Sequence, residues 1–291
     1  MRYFNIRWRK EDRVAIATDQ GLVCLPSSLD GHPLASIEDI IAAEHSFGPG
    51  PFAEHLRDPA TVLLAESDLG YRPVVERPSK IICIGLNYRQ HAEETHAPIP
   101  EIPVVFGKFS NTLTGHGAVI ELPQAGHQVD YEAELAIVMG RRCRRVSRET
   151  ALQHVFGYAV ANDVSARDLQ NATSQWLAGK SLDGFCPIGP GVTTADEVGD
   201  PNRLQIQLTL NGELRQNSNT SDMIFSCATL IEYLSRIWTL EPGDVILTGT
   251  PQGVILGRPE SERVWIRSGD RTEAIIEKLG TLSNSFIQST A

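Results

Sequence analysis

The chain has 291 residues, 41% of them hydrophobic and 21% charged, enough to bury a sizeable core in one large domain or two smaller ones. Its formal net charge of −10 argues against nucleic acid or an anionic membrane surface as a partner. Five cysteines (Cys24, Cys83, Cys143, Cys186 and Cys227) include no C-x-x-C pair, which speaks against a disulfide framework or a structural zinc site and fits reduced thiols in the cytoplasm.

The opening MRYFNIRWRK has no apolar stretch of signal-peptide type, and the longest apolar runs, such as residues 135–139, are far short of a membrane span. Residues 13–17 and 22–25 read as short strands around the turn signal Asp19-Gln20-Gly21. Residues 36–45 read as a helix with Ser36 as a possible N-cap, and Gly48-Pro49-Gly50-Pro51 interrupts regular structure after it. Arg72-Pro73 and Arg77-Pro78 mark a second loop-like stretch. A boundary there separates a small N-terminal α/β domain, residues 1–74, from a main domain, residues 75–291.

From Lys80 onward the texture changes to strands. Residues 81–84 and 155–161 are apolar runs, the second ending at Asn162-Asp163, and residues 131–139 begin with alternation and end as a buried apolar run. Residues 204–210 alternate strictly, and Asn211-Gly212 then signals a type I′ hairpin into residues 213–215. Between Ser226 and Thr239 lies one clear helix, with Leu230, Ile231, Leu234, Ile237 and Trp238 on its apolar face. Pro242-Gly243 ends it, and residues 245–247 form a strand entering the loop 248–253. Many short strands and few helices predict an α+β, β-rich main domain of curled or barrel-like form.

Four segments carry candidate chemistry. In Tyr131-Glu132-Ala133-Glu134-Leu135, strand alternation puts Glu132 and Glu134 on one face, at the mouth of a run that must be buried. Two adjacent carboxylates losing hydration there stay ionised only if cations compensate them. Asp163, ending a second apolar run, supplies a third acid. Such a set suits a hard cation with oxygen ligands, Mg²⁺ or Mn²⁺, although an exposed edge strand would carry the same E-x-E pattern. In Asn87-Tyr88-Arg89-Gln90-His91-Ala92-Glu93-Glu94, a helical turn would bring Glu94 beside His91 and make a general base, while a solvated polar turn fits the same residues. Lys180, within Gly179-Lys180-Ser181-Leu182-Asp183-Gly184, offers a cation for a substrate anion or enolate. The strand leading into Thr248-Gly249-Thr250-Pro251 offers hydroxyl and N–H donors for a carboxylate.

In order along the chain, these segments resemble the fumarylacetoacetate hydrolase superfamily. The matching pieces are Gly85-Leu86-Asn87-Tyr88 through His91, Asp130-Tyr131-Glu132-Ala133-Glu134-Leu135, and Asn162-Asp163-Val164-Ser165-Ala166-Arg167-Asp168-Leu169-Gln170. Gly179-Lys180-Ser181-Leu182-Asp183, Asn211-Gly212-Glu213 with Thr220-Ser221-Asp222-Met223-Ile224, the segment 243–251 and Gly280-Thr281-Leu282-Ser283-Asn284 complete the set. The resemblance implies a mixed β-sandwich or β-roll catalytic domain behind a small N-terminal domain, usually as a homodimer. It implies Mg²⁺ or Mn²⁺ on Glu132, Glu134 and Asp163, and a lid carrying His91 and Glu94. It further implies Lys180 as the active-site lysine, Arg167 and Gln170 as substrate contacts, and Thr250 as a carboxylate contact. The bacterial branch with acylpyruvate hydrolases and oxaloacetate decarboxylases is similar, and the loop 255–265 departs from the glycine- and proline-richer form of many relatives. The expected activity is metal-dependent C–C bond hydrolysis of a 2,4-dioxo acid through a pyruvate enolate. Alternatives are decarboxylation of oxaloacetate, isomerase or hydratase chemistry on a 2-hydroxymuconate-like acid, and an idle binding protein of the same fold.

Overall fold

Strands with no polar face have nothing to offer water, so they belong at the centre of a sheet. Ala133–Met139 is buried along its whole length and lies between Val155–Asn162 and Val245–Leu247. A computed structural model of the chain, which describes residues 1–29, 31–47 and 62–289, puts these three in the middle of a 12-stranded mixed sheet. Ten strands run in the order Leu63–Leu64, Gly21–Cys24, Glu11–Thr18, Arg2–Trp8, Cys186–Thr194, Val155–Asn162, Ala133–Met139, Val245–Leu247, Ile81–Gly85, Val104–Lys108, and two more pair off that path, Gly70–Tyr71 with Arg2–Trp8 and Leu113–Thr114 with Cys186–Thr194. A second, five-stranded sheet has the order Val119–Leu122, Gly280–Gln288, Arg271–Ile276, Gln205–Leu210, Glu213–Asn219. The strictly alternating Gln205–Leu210 buries Ile206, Leu208 and Leu210 against the larger sheet's core, as its period of two requires. The result is the β-rich architecture expected from the sequence, built mainly on these two sheets.

Local chemistry sets most element ends. Ile37–Phe47 begins at a reciprocal cap: Asp39 N–H donates to Ser36 Oγ at 3.2 Å, and the Asp39 carboxylate accepts from Ser36 N–H at 2.9 Å. The Gly48-Pro49-Gly50-Pro51 break lies outside the described residues. Asn211 and Gly212 take φ of 54° and 80°, the left-handed pair that a type I′ turn needs, and Leu210 pairs with Glu213 across them. Cys227–Ile237 is capped by Ser226, which accepts from Thr229 N–H at 3.3 Å, and buries Leu230, Ile231 and Leu234. Here the periodicity overshoots: the helix stops at Ile237, Trp238 turns extended, and both side chains stay more than 40% exposed.

Residues on both sides of 74/75 share a sheet and a core. Arg2 and Tyr3 pair with Thr193 and Val192, and Tyr3, Val14, Leu34 and Ile37 pack in one apolar cluster with Ala136, Val138 and Val192. Among the described residues no helix is long and apolar enough to cross a membrane.

Candidate active site

The antiparallel pairing of Ala133–Met139 with Val155–Asn162 builds the acidic centre. Its register puts Ala133 opposite Asn162 and Glu134 opposite Ala161. Asp163 N–H donates to the Glu132 carbonyl at 2.8 Å, so the two acids face each other across the strand ends. Glu132, Glu134 and Asp163 then offer one oxygen each within 4.8 Å of one another, and all three are buried. The edge-strand alternative for Glu132 and Glu134 is thereby removed.

Three cations enter the cluster. Lys180 Nζ donates to Glu132 Oε2 and Asp163 Oδ2, both at 2.7 Å. Lys108, at the end of Val104–Lys108, donates to the other Asp163 oxygen and to the Val164 carbonyl. Arg167 meets Glu132 Oε1 at 2.7 Å and Asp130 Oδ2 at 2.9 Å, and donates to Gln170 Oε1 at 2.9 Å. Four buried carboxylates (Asp130, Glu132, Glu134, Asp163) thus face three buried cations, a deficit of one positive charge.

The deficit falls on Glu134. Among the described residues no ion pair reaches it, and its carboxylate accepts only Gly249 N–H, at 2.6 Å. Burial, then the charges of Asp163 and Glu132, push its pKa well above the carboxylate range. Burial also opposes ionisation of Glu132, but Lys180 and Arg167 outweigh it and bring that carboxyl down to about 2. Burial lowers Lys180 less than Asp163 and Glu132 raise it, so its ammonium is held up to about 12 and stays charged at neutral pH. A buried carboxylate with two acidic neighbours and no cation of its own fits a divalent ion with oxygen ligands. Such an ion would turn the cluster's formal charge from −1 to +1, which favours an anionic substrate.

A cavity of about 190 Å³ opens on this cluster and is lined by His91, Glu132, Glu134, Arg167, Gln170, Lys180 and Thr250. Its other wall is apolar, formed by Ile84, Leu86, Phe106, Trp176 and Leu256. His91 and Glu94 lie on the short helix Arg89–Glu94, with His91 Nδ1 3.4 Å from Glu94 Oε2. The base of that helix is fixed by Asn87, whose side chain donates to the Thr248 and Phe225 carbonyls at 2.8 and 3.1 Å and accepts from Phe225 N–H at 2.8 Å. Thr250 lies at the cavity, yet its hydroxyl proton is spent on the Ala133 carbonyl at 2.9 Å, and its oxygen accepts from Gln216 Nε2 at 2.8 Å. As placed, it presents no O–H donor to a carboxylate.

The structure therefore gathers all nine residues singled out in the sequence around one cavity, seven at its wall and Asp163 and Glu94 immediately behind. It adds Lys108 and Asp130. The signal for Lys108 is a charged residue ending an apolar run, the same signal that marked Asp163. Asp130 stands beside Glu132 in sequence, and both its oxygens are fully engaged: besides Arg167 it accepts from Ile255 and Leu256 N–H at 2.9 and 3.0 Å.

Comparison with known proteins agrees with this geometry. Residues 80–287 match the family model described as fumarylacetoacetate (FAA) hydrolase C-terminal. The oxaloacetate tautomerase YisK of Bacillus subtilis is 48% identical over 224 residues, 76% of this chain and 74% of that protein. The mitochondrial oxaloacetate tautomerase fahd2 of Xenopus laevis is 43% identical over 227 residues, 77% of this chain and 70% of that protein. Among solved structures, maleylpyruvate hydrolase from Sphingobium sp. SYK-6, in complex with manganese(II) and pyruvate, superposes with a TM-score of 0.83 at 29% identity, covering 100% of both chains. Fumarylacetoacetate hydrolase from Exiguobacterium antarcticum gives a TM-score of 0.84 at 32% identity over 99% of this chain and 100% of that one. The chain belongs to the fumarylacetoacetate hydrolase family of enzymes.

Proposed function

We propose that the protein interconverts the enol and keto forms of a small 2-oxo acid of the oxaloacetate type, using a divalent ion held by Glu132, Glu134 and Asp163. The observation that carries this reading is one base, His91 with Glu94 behind it, facing the same small cavity as a buried acid triad short of one positive charge. The tautomerases named among the relatives support the choice of oxaloacetate.

A bound Mg²⁺ or Mn²⁺ would supply Lewis-acid polarisation of the 2-oxo group. His91 removes a proton from C3 of the keto acid, the C–H electron pair becomes the C2–C3 double bond, and the 2-oxygen takes up a proton from water; the reverse restores the ketone. Glu94 orients the imidazole for that transfer. Lys180 spends two of its three donors on Glu132 and Asp163, and it supplies a fixed positive charge at the cavity for the oxygen that gains electron density. Arg167 is tied to Asp130, Glu132 and Gln170 and gives the rim rigidity as well as charge.

A second reading is C–C hydrolysis of an acylpyruvate. The manganese- and pyruvate-bound maleylpyruvate hydrolase favours it, as does a His–Glu pair able to activate water. Following oxaloacetate enol absorbance with Mn²⁺, alongside acetylpyruvate, separates the two. Tautomerisation predicts faster enol–keto exchange with no pyruvate formed. Glu132→Gln and Asp163→Asn are expected to abolish metal-dependent turnover, and full activity in either variant after chelator treatment refutes the proposal.

A further inference from the structure

We propose that the loop 253–257 is a latch for the lid helix and that Gly257 is the positioning residue that gives the Glu94 carboxylate its seat; the inference rests on His91 and Glu94 acting as the base pair proposed above. Gly253 N–H donates to both Glu94 oxygens, at 3.0 and 3.1 Å. On the other side, the Gly257 backbone comes so close that a Cβ there would lie 2.3 Å from Glu94 Cδ, 2.6 Å from Oε2 and 2.7 Å from Cγ. No side chain fits at 257 while Glu94 stays where it meets His91.

The two glycines serve different ends. Gly253 has φ of +101°, and a Cβ would lie 2.1 Å from the Arg215 carbonyl oxygen, so the fold itself requires glycine there. Gly257 has no left-handed φ, and the three nearest atoms to its missing Cβ all belong to Glu94. The backbone at 257 would accept alanine; what gives way is the end of one flexible side chain. Gly257→Ala is therefore a selective way to unseat Glu94 without disturbing the core.

The latch is also anchored between its two glycines. Ile255 and Leu256 N–H donate to the two oxygens of Asp130, Asp130 pairs with Arg167, and Arg167 pairs with Glu132. Glu94 thus docks on a loop held by the acidic cluster, while the base of the lid is fixed separately through Asn87. The contact at 253–257 is what places the tip of the lid helix, and with it the orientation of His91, relative to Glu132 and Glu134.

The test is a double-mutant cycle on the full-length protein with Mn²⁺: wild type, Gly257→Ala, Glu94→Ala and the double variant. Steady-state turnover of oxaloacetate should fall about 10-fold or more in kcat for Gly257→Ala, with KM changed far less. On the Glu94→Ala background the same substitution should change kcat by no more than about twofold, because the group it displaces is already gone. Hydrogen exchange should rise in residues 89–97 of both single variants and no further in the double, while the thermal shift produced by Mn²⁺ stays at the wild-type value. Independent, multiplicative losses, or a Gly257→Ala protein with wild-type exchange in residues 89–97, overturn the latch. If wild type does not turn over oxaloacetate at all, the functional reading fails, and the exchange cycle still decides the latch.

Discussion

The cluster behind the cavity is a balance of individual charges, and single substitutions should expose it. Lys180 compensates two buried carboxylates at once. Lys180→Met keeps the packing but takes one of two cations from each carboxylate, leaving Glu132 to Arg167 and Asp163 to Lys108, and is expected to cost about 3 kcal/mol in urea denaturation, the range for breaking a buried ion pair from one side. A loss under about 1 kcal/mol would mean that Lys108 and Arg167 suffice without it. Glu134 should behave in the opposite sense. A carboxyl whose folded pKa is raised destabilises the native state as pH climbs past its unfolded value. Glu134→Gln should therefore make the metal-free protein more stable by about 1 kcal/mol at pH 7 while removing the stabilisation by Mn²⁺. A variant that loses apo stability and keeps the Mn²⁺ shift contradicts the assignment of Glu134 as the uncompensated ligand.

At the scale of elements, the site is a meeting of strand ends with a six-residue helix. The acids come from one antiparallel pair, whereas Arg89–Glu94 is too short to hold itself and borrows its order from both ends. Its base depends on Asn87, fully buried, with three side-chain hydrogen bonds to the segments around Phe225 and Thr248. Asn87→Ala leaves those backbone groups unpaired in the interior, so a loss of about 2 kcal/mol is expected, together with faster exchange throughout residues 89–94. Unchanged exchange there would show that this helix is held at its Glu94 end alone.

At the scale of the molecule, the N-terminal segment is part of the sheet that carries the site. Arg2–Trp8 lies against Cys186–Thr194, the neighbour of Val155–Asn162, whose last residues present Asp163. Deleting residues 1–74 would open that sheet at a fully buried strand and remove Tyr3, Val14, Ile16, Leu34 and Ile37 from a shared core. The expected outcome is aggregation or loss of the cooperative thermal transition, read by calorimetry. A truncated protein that melts cooperatively and responds to Mn²⁺ would show that residues 75–291 fold alone. In the intact protein, Mn²⁺ at a hundredfold excess over its Kd should stabilise by about 2.7 kcal/mol, and chelation should reverse it.

The sequence by itself determined what is local or periodic. The apolar runs marked the central strands, Asn211-Gly212 fixed a hairpin, Ser36 and Ser226 started their helices, and E-A-E with Asp163 at the end of another run nominated three acids, whose burial together the assembled sheets decided. Period is satisfied by the chain's own geometry, so it can be read without knowing the neighbours. Only the tertiary structure decided how charge is shared. Lys108 reaches Asp163 from 55 residues away because Val104–Lys108 pairs with Ile81–Gly85, which in turn lies beside Val245–Leu247. The hydroxyl of Thr250 turns to Ala133, and Glu94 finds its seat on Gly257, through approaches of backbone that leave no pattern in the sequence. Burial in a low-dielectric core makes each such contact decisive, and burial is a property of the assembled sheets.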